Sequence, residues 1–132
     1  ATAIGSSLAG SLYGVNVLFD GVQDKPNNVT RFLVIAMQEA LPTGNDKTTI
    51  SFVTTHEPGA LVDVLSVFRD AGINLSHIDK RPSGRENWQY MFFIDADAHR
   101  EDPVMREAIE RARSLCRVFN VHGAYPKAEQ VL

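Results

Sequence analysis

Apolar residues recur along this chain with two different periods, and the switches between them outline its elements. Near the start, Ile4, Leu8 and Leu12 stand four apart, with Gly14 available as a C′ residue, so the spacing predicts a short amphipathic helix over residues 3–13. Val15, Val17 and Phe19 then alternate, a strand signature. Gln23 to Asn28 carries turn chemistry, and Thr30 to Met37 is a nearly continuous apolar run of the kind a buried strand shows. Residues 38–46 are polar and interrupted by Pro42 and Gly44, which predicts a linker. Helix, strand, strand over residues 1–37 is too little chain to bury a core of its own.

From Lys47 to Pro126 the rhythm is clearer. Thr48 to Thr54 alternates around Ile50 and Phe52. Pro58 suits the first position of a helix whose apolar stripe is Leu61, Val64, Leu65 and Phe68, and Gly72 closes it. Ile73 to Arg81 predicts a strand, Pro82 to Arg85 a turn, and Trp88 to Asp95 a second strand with Trp88, Tyr90, Phe92 and Ile94 on one face. Asp102 and Pro103 form a cap and first-turn pair ahead of a helix lined by Met105, Ala108, Ile109, Ala112 and Leu115. Val118 to Ala124 is a last short strand. The order βαββαβ predicts an α+β, ferredoxin-like domain with helices on one face of an antiparallel sheet. A tail, residues 127–132, follows.

Composition narrows the function classes. The chain has 132 residues, 44% hydrophobic and 22% charged, with a net charge of -3. It has no basic stripe for a nucleic acid and no apolar run near the roughly 20 residues that span a bilayer. Residues 1–10 lack the positive and apolar regions of a signal peptide. The chain opens without Met inside a helical pattern, which reads as a piece of something longer. Cys116 is the single cysteine, so no internal disulfide forms; this fits a reducing cytosol or stroma, and a cytoplasmic setting is expected. His56, His77, His99 and His122 have no metal-ligand spacing, and no metal or cofactor is expected. Cys116 lies on or near the buried face of the second helix, as a packing residue; Glu107 and Arg111 stand as an i,i+4 pair on a solvated face.

Three stretches carry more information. Asn28-Val29-Thr30-Arg31-Phe32 resembles the N-x-T-R-F signature near the end of the prephenate dehydratase catalytic domain, with Ala3 to Gly14 and Gln23-Asp24 similar to the helix and loop ahead of it. Gly59-Ala60-Leu61-Val62-Asp63-Val64-Leu65 resembles the GALxxxL motif of that family's regulatory ACT domain. Asn74 to Pro82 resembles the segment ending in ESRP, except that Asp79-Lys80 replaces Glu-Ser. Each motif alone is weak, but the ordered set is specific. The chain thus resembles the C-terminal part of a prephenate dehydratase, and whether a chorismate mutase domain lies further upstream stays open. The implied organisation is a catalytic-domain remnant over 1–37, the linker, and an ACT domain over 47–126.

The resemblance implies conversion of prephenate to phenylpyruvate, water and carbon dioxide, in phenylalanine biosynthesis. It implies catalytic roles for Thr30, Arg31 and Phe32. A threonine hydroxyl is a poor acid, so Thr30 suits a hydrogen bond to the departing oxygen better than full proton delivery. Arg31 can grip the pyruvyl carboxylate bidentately, and Phe32 packs. With most of the catalytic cleft absent, the isolated chain is expected to be inactive. The resemblance further implies phenylalanine as allosteric effector, bound at an ACT dimer interface by Gly59, Ala60, Leu61, Asn74 and Leu75. Glycine and alanine permit close backbone approach, and a helix start offers N–H groups to a carboxylate. A homodimer is implied, with a tetramer left open. Leu65, on the helix stripe, reads as core. Two other readings compete: a stand-alone amino-acid-binding module, such as the regulatory domain of an aromatic amino-acid hydroxylase, and a dimerisation unit without ligand. Thr30-Arg31-Phe32 has no role in the former.

Overall fold

A computed structural model describes residues 1–25, 30–82 and 90–128. The chain divides into two compact units, Ala1–Val34 and Ile35–Leu132.

Among its described residues the first unit has one regular element, α1 (Ser7–Tyr13). It starts later than the apolar spacing predicts because Ser6 acts as N-cap, its hydroxyl accepting the Ala9 N–H at 3.2 Å. Gly14 ends it in the left-handed region at φ 62°, with its N–H on the Gly10 carbonyl. Residues 15–19 and 30–37 are not strands, contrary to the alternation and the apolar run. Apolar pattern defines which way side chains face; a strand also needs a backbone partner for its N–H and C=O groups. Phe32 is 85% exposed and Val34 95% exposed, so the expected burial is absent as well. The predicted turn over Gln23 to Asn28 lies partly outside the described residues, as do the turn after Pro82 and Trp88.

The second unit is the predicted βαββαβ domain: β1 (Asp46–Thr54), α2 (Ala60–Asp70), β2 (Leu75–Pro82), β3 (Tyr90–Ala96), α3 (Pro103–Ser114) and β4 (Cys116–Pro126). The sheet order is β2-β3-β1-β4, every pair antiparallel. Thr48, Ile50 and Phe52 of β1 are fully buried, and Phe52 stacks between Phe92 (5.6 Å) and Phe119 (6.4 Å). Both helices feed the same core. From α2 come Ala60, Val64, Val67 and Phe68, a stripe turned slightly from the expected one, so that Leu61 and Leu65 sit at its margin, half-buried. From α3 come Met105, Ala108, Ile109 and Ala112, as the spacing predicts; Leu115 is instead the C-cap residue and is exposed.

Helix starts differ in detail from the sequence expectation. Pro58 is not the first residue of α2. Gly59 takes the N-cap with φ 86°, a left-handed conformation that glycine adopts without steric cost, and the helix begins at Ala60. Asp102 caps α3 with Pro103 next, but its carboxylate reaches back to accept the His99 N–H at 2.9 Å.

Candidate functional site

The turn between β1 and α2 forms a groove of ≈ 450 Å³ lined by Thr54 to Val62. Gly59, Ala60 and Leu61 all lie in it. Ala60 donates its N–H to the Glu57 carbonyl at 3.3 Å, and Asp63 to Gly59 at 3.0 Å. Between them stand the first-turn residues Leu61 and Val62, where a helix presents N–H groups without helical acceptors and the positive end of its dipole. A side chain built on Gly59 would meet nothing within 4 Å, so space lies open above this backbone. Ala60 is buried beneath the groove while Leu61 is half-buried at its wall. The arrangement suits a small anionic group at the amides with an apolar group beside Leu61.

Asn74 and Leu75 do not line this groove. They stand beyond Gly72, at the far end of α2, whose 11 residues span about 16 Å. There Asn74 Nδ2 donates to Asp97 Oδ2 at 2.9 Å, and the Asp97 N–H donates to the Asn74 carbonyl at 2.8 Å. Lys127 Nζ approaches the same Asp97 oxygen at 3.1 Å. Burial pushes the Asp97 carboxyl upward, but hydrogen bonding from Asn74, Ser76 and Lys127, with the Lys127 charge, holds it below its usual value. Leu75 packs half-buried against the core.

The replaced residues of the ESRP-like segment settle into local contacts. Asp79 accepts its neighbour Lys80 N–H at 2.8 Å and Arg81 Nε at 3.1 Å; the Lys80 bond, then Arg81, lower its carboxyl. The Lys80 ammonium lies over the Tyr90 ring, 4.9 Å from its centre. Thr30, Arg31 and Phe32 lie in irregular, exposed chain; Asn28 is outside the described residues. Glu107 and Arg111 do not pair; α3 instead carries Arg113–Glu110 at 3.7 Å. Cys116 packs half-buried against the core as expected, but as the first residue of β4 and not on the helix, and burial pushes its thiol up to about 11.

Several polar contacts escaped the sequence reading because their partners are distant in the chain. Thr49 Oγ1 bridges Asp95 Oδ1 (2.7 Å) and the Tyr125 hydroxyl (2.8 Å), while His122 Nε2 meets Ser51 Oγ at 2.7 Å. Asp97 belongs to the same class. No spacing rule links it to Asn74, 23 positions away; only the β2–β3 register does.

Residues 48–114 match the ACT domain family, and residues 1–40 match the prephenate dehydratase family. A curated relative, the bifunctional chorismate mutase/prephenate dehydratase of Aquifex aeolicus, is 43% identical over 128 residues, which cover 97% of this chain and 35% of the relative. The chain thus spans about a third of the length of such curated relatives. Among solved structures, prephenate dehydratase from Arthrobacter aurescens in complex with L-Phe is 34% identical with a TM-score of 0.64, covering 72% of this chain and 32% of that one. The Staphylococcus aureus prephenate dehydratase is 27% identical with a TM-score of 0.57, over 67% of this chain and 33% of that one. The chain belongs to the ACT domain family, and its ACT module follows a segment that matches the prephenate dehydratase family.

Proposed function

We propose that this chain is the C-terminal part of a prephenate dehydratase and that its ACT module senses phenylalanine as the feedback signal. The observation that carries the reading is the groove at Gly59-Ala60-Leu61, downstream of an ordered Thr30-Arg31-Phe32 motif. Residues 1–37 are the remnant of the catalytic domain, 38–46 the linker, 47–126 the sensor and 127–132 a tail. The L-Phe complex of the Arthrobacter relative supports the choice of ligand.

Phenylalanine would place its carboxylate at the first-turn amides of α2 and its ring beside Leu61. Asn74 and Leu75 lie past the far end of α2, too distant to touch the same molecule from one chain, which favours a site completed by a second copy. A homodimer, with or without further pairing to a tetramer, and a cytoplasmic setting belong to the same proposal.

In the complete enzyme, prephenate loses its ring hydroxyl and one carboxylate to give phenylpyruvate, water and carbon dioxide. Thr30 donates a hydrogen bond to the departing hydroxyl, whose oxygen gains charge as the bond breaks. Arg31 holds the pyruvyl carboxylate through two parallel N–H bonds; gripping the carboxylate that leaves would stabilise the ground state instead. Phe32 packs against the ring. The test is paired. Calorimetry of the chain with phenylalanine, tyrosine and tryptophan, with its sedimentation mass, should give selective phenylalanine binding by a dimer. Thr30→Ala in the full-length enzyme should lower turnover by about two orders of magnitude, the range of a lost transition-state donor. Near-normal turnover would overturn the role of Thr30, and a folded dimer blind to all three amino acids would favour a plain dimerisation module.

A further inference from the structure

The Asn74 amide is held by a carboxylate, and that fixes more than its position. An ionised carboxylate only accepts hydrogen bonds, so the amide end facing Asp97 must be the NH2 group. The carbonyl end is thereby turned away from Asp97, on an exposed residue. The backbone repeats the tie, since the Asp97 N–H donates to the Asn74 carbonyl at 2.8 Å. Lys127 Nζ supports the same carboxylate oxygen at 3.1 Å, and the Lys127 backbone is anchored in turn, its main-chain N–H donating to the Asn45 carbonyl at 2.9 Å.

Asp97 cannot serve as a ligand group directly. Its Oδ2 already takes Asn74 and Lys127. Its Oδ1 is covered from solvent and has no hydrogen bond of good geometry among the described residues, although the nearby Ser76 side chain helps to keep the carboxyl ionised.

We infer that Asp97 is a positioning residue: braced by Lys127, it locks the Asn74 amide with its carbonyl oxygen outward, so that the sensor reads an amino-acid ammonium through a neutral acceptor. This rests on the proposed effector role of Asn74. The lock works by orientation. Without it, the amide can rotate and present its NH2 group to a cation, a repulsive contact.

The test is a double-mutant cycle on the chain, read by calorimetry with phenylalanine, with thermal unfolding as control. Asn74→Ala and Asp97→Ala should each weaken binding about tenfold, the order of one hydrogen bond to a charged group. The double variant should bind no more weakly than Asn74→Ala, because Asp97 acts only through Asn74. Asp97→Asn, which keeps an acceptor in reach of the Asn74 NH2, should recover most of the affinity. In amide NMR spectra, the Asn74 side-chain NH2 signals should move in Asp97→Ala and stay near their original place in Asp97→Asn. Additive losses, or wild-type affinity in Asp97→Ala while Asn74→Ala is impaired, would overturn the inference and leave the effector site standing. Unchanged binding in Asn74→Ala would overturn the effector role of Asn74 and the inference together.

Discussion

Asp46, where the linker enters the sheet, is 5% exposed and works as a clamp on the turn before it. Its Oδ2 accepts the Thr43 and Gly44 N–H groups at 2.8 and 3.0 Å, and its Oδ1 the Thr43 hydroxyl at 2.7 Å. Burial raises its carboxyl, but the hydrogen bonds from Thr43 and Gly44 more than offset this and hold it below its usual value. A depressed carboxylate contributes stability that is present above its unfolded value and lost as pH falls through the folded one. Asp46→Asn should therefore cost about 1–3 kcal/mol at neutral pH, because the new NH2 group faces donors. The difference should shrink below about pH 4 in urea titrations, as the native carboxyl takes up its proton. Cys116 gives a second residue-scale prediction. With its thiol near 11, iodoacetamide at pH 8 should modify it about two orders of magnitude more slowly than a free cysteine. Neither clamp nor thiol shift was legible in sequence, since burial and turn geometry appear only once the chain is folded. What was legible were residues whose conformational role is local, such as Gly14 and Asp102.

At the scale of elements, the linker is tied to the loop before α3. His99 is buried; its Nδ1 accepts the Glu101 N–H at 3.2 Å, which leaves the ring proton on Nε2, donated to the Ala40 carbonyl at 3.1 Å. Arg100 adds an ion pair to Glu39 at 2.7 Å. The exposed pair contributes little, so the histidine bond dominates. His99→Ala should make residues 38–45 several-fold more sensitive to limited proteolysis, whereas Arg100→Ala should change cleavage by less than twofold, about 1–2 kcal/mol against a few tenths. Equal sensitisation by both would place the tie in the ion pair. The helices and strands of the ACT unit were readable because each buries one face, and burial imposes periodicity on sequence. The expected strands at 15–19 and 30–37 show the limit of that logic: apolar alternation records a face to be covered without naming the backbone that completes a ladder.

Across the whole molecule, the core of the second unit is closed by its most distant pairing. β1 and β4 align Asp46 with Pro126 and Thr49 with Gly123, and a register shift after Thr49 leaves His122 as the extra residue that turns towards Ser51. The loss of ordering entropy in joining segments so far apart delays this ladder, which predicts millisecond-to-second folding, slower than a helical bundle of the same size. The topology was readable from βαββαβ order alone, while the bulge was not, because an inserted residue in one strand leaves no period to detect.

The same ladder has an architectural consequence. Antiparallel partners sit about 5 Å apart, so the chain enters and leaves the ACT unit at one corner, stitched there by Lys127 N–H to the Asn45 carbonyl at 2.9 Å. A module whose entrance and exit coincide behaves like a cartridge. It can be spliced onto, or into, a host polypeptide while asking only a few ångströms of the host's own path. Joining residue 126 to residue 46 through a short glycine bridge and reopening the chain within the 82–90 connection should return a folded domain with the same far-ultraviolet spectrum and a single cooperative melt.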